Sequence, residues 1–325
     1  MKTLFLHIGL HKTGSTTLQA FLKKNRDLLS DNGYFYPTIG IPEQHDGQHN
    51  LAWLLKGDRR ANSALGTLPE LHKKIQAEKS EKIIISSEDF ETENKQLIER
   101  FYSEFKTYNV KIIIYLRRQD KRLESTYAQL IKMGACSDDI ISFCEKQKKN
   151  HDYYKFLQPW QEIFKKENLI IRPLEKCQIP NICFDFIKIL GITNLNQFVE
   201  VKNQNLKLGL KTLEVLRVLN EIFSSEIMQK PDSRQEIVTK YHKKIIQFAE
   251  RSWTQSKNYS LLSYPQAVQL MEEFEESNLK VAQEYLDRQD QTLFYEKIEY
   301  YDNENLDIEK LTNKEILSLL FTLLK

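Results

Sequence analysis

Residues Leu4 to Leu29 set a short apolar run, a turn bounded by two glycines and an amphipathic stretch in immediate succession, and that turn decides how the chain is read. Leu4-Phe5-Leu6-His7-Ile8 reads as a buried strand. Leu18, Phe21, Leu22, Leu28 and Leu29 fall on one face of a 3.6-residue repeat, which predicts a helix running through to Leu29. Between them lies Gly9-Leu10-His11-Lys12-Thr13-Gly14-Ser15-Thr16-Thr17. Glycines at both ends let the chain wrap an anion and aim backbone N–H groups at it from the start of the helix. The turn is therefore shaped to hold a phosphate.

The residues after Gly14 depart from the ATP and GTP pattern, in which Lys and then Ser or Thr follow the second glycine to reach the phosphates and a magnesium ion. Ser15 stands in the lysine's place. The only cation in the loop is Lys12, two residues before Gly14, so it meets a ligand from another side. That suits a donor whose one reactive linkage is at its 5′-phosphate. A turn of this kind that binds nothing is the bland reading.

A second motif lies further along. Lys111-Ile112-Ile113-Ile114-Tyr115-Leu116 has the continuous apolar character of a strand buried on both faces of a parallel sheet, and it ends in Arg117-Arg118. Ligands bind outside the carboxyl ends of strands in such sheets, the edge that also carries the glycine loop. The next segment, Gln119 to Lys132, is helical by pattern. Leu123, Tyr127, Leu130 and Ile131 form its apolar stripe, and Arg122, Ser125, Gln129 and Lys132 line a different face.

The stretch Leu6 to Gln19, with a lysine before its second glycine and small hydroxyl residues after it, resembles the 5′-phosphosulfate loop of bacterial sulfotransferases, enzymes that use 3′-phosphoadenosine 5′-phosphosulfate. The resemblance implies donor contacts from His11, Lys12, Thr13, Gly14, Ser15, Thr16 and Thr17. It also implies a 3′-phosphate site made by an arginine ending a strand and a serine eight residues later, the spacing of Arg117 and Ser125. The implied fold is α/β: a three-layer phosphate-loop NTPase-like architecture with a mainly parallel sheet flanked by helices, plus a helical C-terminal region. The donor leaves as adenosine 3′,5′-bisphosphate, and the chemistry requires no metal.

Sulfuryl transfer to an alcohol requires a base. Glu81 to Phe90 reads as another strand of the sheet, with Glu88 and Asp89 at its carboxyl end, and Glu88 matches the place where family members carry their base. His49, in Asp46-Gly47-Gln48-His49-Asn50, is the rival. The alternative for Ser87, Glu88 and Asp89 is a helix N-cap cluster. Lys12 would counter charge on the oxygen bridging sulfur and phosphorus. Arg172, ending Leu169 to Pro173, is either a ligand contact or a salt-bridged arginine, and Leu174 occupies the neighbourhood of the family's adenine contact.

The 325 residues bury a core without staples, and a net charge of +2 lacks the basic excess of a nucleic-acid binder. No secretory leader pattern opens the chain and no apolar run reaches the roughly 18 residues of a membrane span, so a cytoplasmic protein without membrane insertion is expected. Cys136, Cys144, Cys177 and Cys183 lack zinc-type pairs and are expected as free thiols. The expected organisation is a donor-binding core over 1–205, a helical region over 206–300 on the acceptor side, and a final amphipathic helix, Ile308 to Leu324, that packs on the body or on a second copy in a homodimer. The resemblance extends to about residue 295 and implies a carbohydrate acceptor of a bacterial surface or secreted glycan. Two other readings use the same residues: a nucleotide kinase or NTPase with magnesium on Ser15 or Thr16 and Asp89, and a non-catalytic nucleotide-binding subunit of a glycan-assembly complex.

Overall fold

The computed structural model describes residues 1–201, 207–224, 233–253, 258–300 and 315. The expected helix over Ile308 to Leu324 therefore lies outside the described residues, apart from Glu315. The chain divides into two compact units, the first made of Met1–Arg118, His151–Gln204 and Phe274–Glu296, the second of Gln119–Asn150, Asn205–Glu273 and Lys297–Lys325.

The first unit is built on strands β1 (Thr3–His7), β2 (Tyr34–Phe35), β3 (Lys82–Ser86), β4 (Asn109–Leu116) and β5 (Leu169–Pro173). Among the described residues they form one five-stranded sheet in the order β2-β3-β1-β4-β5, every pair parallel. Alternation along the strands feeds two cores. Leu4 and Leu6 of β1, Ile83 and Ile85 of β3, and Ile112, Ile114 and Leu116 of β4 join one hydrophobic cluster, while Ile84, Ile113 and Tyr115 join another. The first cluster is covered by helices α3 (His49–Lys56), α4 (Leu68–Ala77), α5 (Lys95–Phe105), α8 (Tyr153–Phe164) and Glu275–Leu286; the second by α1 (Ser15–Lys24), α2 (Arg26–Asp31) and α9 (Ile182–Ile189). Helix, sheet, helix is the three-layer solution for a sheet apolar on both faces.

The helix after the glycine loop does not run unbroken to Leu29. It stops at Asn25, whose side chain donates to the Phe21 carbonyl at 2.9 Å and to the Val199 carbonyl at 3.0 Å, and accepts from Val199 N–H at 2.8 Å. A short amide competing for backbone partners ends α1, and α2 starts afresh at Arg26. At the other edge Lys2 Nζ donates to the carbonyls of Ile75, Glu78 and Ser80 at 2.9, 2.5 and 3.0 Å, capping α4 with a cation where its dipole is negative.

In the second unit α6 (Gln119–Lys132) has the predicted bounds, and α7 (Ile140–Gln147), α10 (Leu210–Ile222) and Tyr264–Glu272 pack around it. Arg122, placed on a polar stripe by its spacing, is buried. Glu124 is buried too and accepts from the main-chain N–H of Leu261 and Leu262 at 2.7 and 3.0 Å and from the Ser260 hydroxyl. Asn220 donates to the carbonyls of Ile131 and Cys136. A π-turn at Val238–His242 continues as the helix Lys243–Ser252. Tyr264–Glu272 starts with a capping box between Ser263 and Gln266. Among the described residues no helix is long and apolar enough to cross a membrane.

His7, at the end of β1, is fully buried between the rings of Tyr115 and Phe186, with Nδ1 2.7 Å from Ser86 Oγ and Nε2 without a hydrogen-bond partner. Burial pushes its imidazole down from 6.5 to about 4, and the Glu88 charge opposes only part of that. The unfolded chain therefore binds a proton below pH 6.5 that the native state refuses until about pH 4. Stability present above that window is lost as pH falls through it, by about 3 kcal/mol. Urea unfolding between pH 7 and pH 4 should show this slope, and His7→Gln should flatten it.

Candidate active site at the carboxyl edge of the sheet

The loop from Gly9 to Gly14 leaves the central strand and reverses three times: Gly9, Lys12 and Gly14 have φ of 60°, 73° and 86°. Thr13 is built into this turn, its hydroxyl donating to the Leu10 carbonyl at 2.6 Å and its N–H reaching the same oxygen at 3.3 Å. Gly14 caps α1 with no side-chain hydrogen bond, and the first turn carries no acidic residue. The positive end of α1 is thus not neutralised by its own side chains. Ser15 Oγ, directly after Gly14, is buried and has no hydrogen-bond partner among the described residues. Thr16 is exposed, Thr17 and Lys12 are half-buried, and His11 is exposed with its main-chain N–H on Glu91 Oε2 at 2.9 Å.

Register brings two other strand ends to the loop. His7 stands level with Ser86 of β3 and Ile113 of β4, so residues 87–89 and 117 leave the sheet at the same edge. Glu88 packs directly on the loop: a Cβ added to Gly9 would lie 2.8 Å from Glu88 Cβ and 2.9 Å from its Cα. Arg117 reaches the loop from the other side, Nη1 donating to the Lys12 carbonyl at 3.1 Å, while its own carbonyl accepts from the Tyr153 hydroxyl. Arg118 is buried and donates to the Glu296 carbonyl at 2.6 Å. Ser125 is half-buried on α6, in the second unit.

The two candidate bases, 39 residues apart in sequence, meet at the end of β3. Gln19 Nε2 donates to Glu88 Oε2 at 2.7 Å. His49, at the start of α3, is buried with Nδ1 2.8 Å from Ser87 Oγ, 3.0 Å from Asp89 Oδ2 and 4.0 Å from Glu88 Oε2. The N-cap reading of this segment holds at the same time, since Ser87 Oγ accepts from Asp89 N–H at 3.1 Å and opens a 3-10 turn over Glu88–Phe90. Burial alone would raise the Asp89 carboxyl, but the bond from His49 and the charges of His49, Arg60 and His11 outweigh it and hold the group well below the usual carboxylate range. Arg60 Nη2 lies 3.1 Å from Asp89 Oδ1, and its guanidinium covers Trp53 at 4.7 Å. His45, edge-on to His49 with ring centroids 4.8 Å apart, is lowered first by burial and then by that neighbour.

Spacing alone did not reveal Asp89 as the partner of His49, or Gln19 as the partner of Glu88; a carboxylate next to the predicted base was the available signal. Arg172 resolves as a salt-bridged arginine, its Nε on Asp185 Oδ2 at 3.0 Å beside the Tyr115 hydroxyl at 2.9 Å. The four cysteines are free, with Cys177 exposed.

No protein-family model matches this chain. Over 224 residues it is 31% identical to an uncharacterized protein of Archaeoglobus fulgidus, a match that takes in 67% of this chain and 58% of that relative's length. The chain thus spans less than two thirds of that protein. Among solved structures it is similar to a sulfotransferase from Alicyclobacillus acidocaldarius, with 17% identity and a TM-score of 0.38, covering 66% of this chain and 92% of that one.

The loop's two glycines differ in what they tolerate. Gly9→Ala should cost about 3 kcal/mol, because a positive φ and the Glu88 backbone both resist a methyl group. Gly14→Ala has ordinary contact with Ile182 at 3.4 Å and only its φ to overcome, so about 1 kcal/mol is expected. Urea unfolding of the two variants checks the order.

Proposed function

We propose that this chain is a sulfotransferase that moves a sulfuryl group from 3′-phosphoadenosine 5′-phosphosulfate to an acceptor hydroxyl, with a carbohydrate of a surface or secreted glycan as the acceptor class. The observation that carries the reading is Ser15: a buried hydroxyl without a partner, at the uncapped start of α1, in the position where an ATP-binding loop carries lysine. An anion there would accept bonds from Ser15 and from the first-turn N–H groups. Lys12, two residues before Gly14 in the sequence, would stabilise the charge that develops on the bridging oxygen. Arg117, already bonded to the loop backbone, supplies a planar fork for a second phosphate. The resemblance of Leu6 to Gln19 to the bacterial family supports the same donor and extends the proposal to a glycan acceptor.

Glu88 and His49 are the groups proposed to serve the acceptor's proton, since both lie where β3 meets the loop. A magnesium-dependent kinase would ask Asp89 to hold the metal, whereas here Asp89 is bonded to His49 and Arg60.

Calorimetric titration with adenosine 3′,5′-bisphosphate, adenosine 5′-monophosphate and ATP with magnesium tests the reading. The bisphosphate should bind tightest, and Arg117→Ala should weaken it by about tenfold or more. Lys12→Ala should lower turnover by about a hundredfold or more with an unchanged unfolding midpoint. Tightest binding of ATP with magnesium would move the loop to the kinase reading.

A further inference from the structure

His49 is held by an arrangement that decides which of its ring nitrogens carries the proton. Gln48 extends the edge of β3 twice over, its N–H donating to the Ser86 carbonyl at 2.9 Å and its side-chain oxygen accepting from Ser86 N–H at 2.8 Å. Gly47 makes that approach possible, because a Cβ there would lie 2.7 Å from the Ser86 carbonyl oxygen and 2.6 Å from Gln19 Cδ. The next residue, His49, is thereby set beside Ser87 and Asp89. Its ring lies nearly parallel to Trp53, at 22° and 6.1 Å between centroids, and edge-on to His45.

Nδ1 faces the Asp89 carboxylate at 3.0 Å, and an ionised carboxylate only accepts. Two facing lone pairs at that distance would repel, so the proton sits on Nδ1. Ser87 Oγ, 2.8 Å away, shares the same N–H. Nε2 of the neutral ring then carries the lone pair. Asp89 itself stays ionised, with Arg60 on its other oxygen. The charged and titratable groups around the ring are Glu88, Asp89 and His45, with Arg60 and His11 acting through Asp89. Glu88, by contrast, has an oxygen held by Gln19.

We infer that Asp89 is a positioning residue that fixes His49 with its proton on Nδ1, and that His49 Nε2, rather than Glu88, is the base of the reaction. The inference takes the identity of the proton from the proposed sulfuryl transfer. His49 Nε2 accepts the acceptor's hydroxyl proton as that oxygen's lone pair bonds to sulfur. The bond from sulfur to the 5′-phosphate oxygen breaks, and its electron pair leaves with the bisphosphate. The imidazolium so formed is stabilised by Asp89 and returns its proton to water.

The test is two-bond 1H–15N correlation NMR of protein labelled in its histidine rings, with His49 assigned by loss of its signals in His49→Gln, alongside turnover and bisphosphate calorimetry of Asp89→Asn. The expected wild-type result is a protonated Nδ1 and an unprotonated Nε2 on His49. Asp89→Asn should populate the opposite tautomer and lower turnover by about a hundredfold, while bisphosphate affinity stays within about twofold. A wild-type ring protonated on Nε2 would overturn the inference, whether or not the variant folds. So would a larger turnover loss in Glu88→Gln than in His49→Gln. The Nδ1 tautomer in a protein that binds no bisphosphate would uphold the pairing with Asp89 and defeat the sulfuryl-transfer reading alone.

Discussion

The contact between Gly9 and the backbone of Glu88 is tighter than any side chain would permit, and the organisation of this edge follows from it. It brings the end of β3 onto the loop that leaves β1. Because β1 is the central strand, the same loop is reached by Arg117 from the end of β4. Three segments that are distant in sequence thus share one edge. Each contributes a different element: backbone donors and a hydroxyl from the loop, carboxylates and an imidazole's partner from β3, and a guanidinium from β4.

This placement sets carboxylates beside a site whose geometry favours anions, which would be self-defeating if they stood alone. Each of them is answered. Gln19 donates to Glu88, while His49 and Arg60 divide the two oxygens of Asp89 between them. The negative charge next to the loop is therefore directed into local bonds, and the positive end of α1 remains uncapped by acidic side chains. Electrostatics and hydrogen bonding here depend on residues from α1, α3 and the end of β3 acting together.

Much of this was legible in the sequence because it is periodic or local. The apolar runs of β1 and β4 and the bounds of α6 each rest on residues within a few positions of one another. The break at Asn25 was hidden because its deciding partner, Val199, is far along the chain. Pairings between distant side chains were hidden for the same reason: Asp89 with His49, Gln19 with Glu88, Arg172 with Asp185. Arg122 shows the limit of helical spacing from another direction, since a stripe of polar residues marks a common face without saying whether that face meets water. Which residue types stand at the strand ends was readable; how they bond to one another was not.

The order of strands also bears on how the chain reaches this state. β1 precedes both of its sheet partners in the chain, and Thr3 pairs with Lys82 on one side and Asn109 on the other, so the central strand waits for more than a hundred residues before both its edges are satisfied. Such non-local parallel pairing slows folding and leaves an apolar segment open to wrong partners in the meantime. Closure comes later still, because Val281, Ala282 and Leu293 belong to the core on one face of the sheet. A ribosome must therefore release the residues through Leu293 before β1, made long before them, is enclosed.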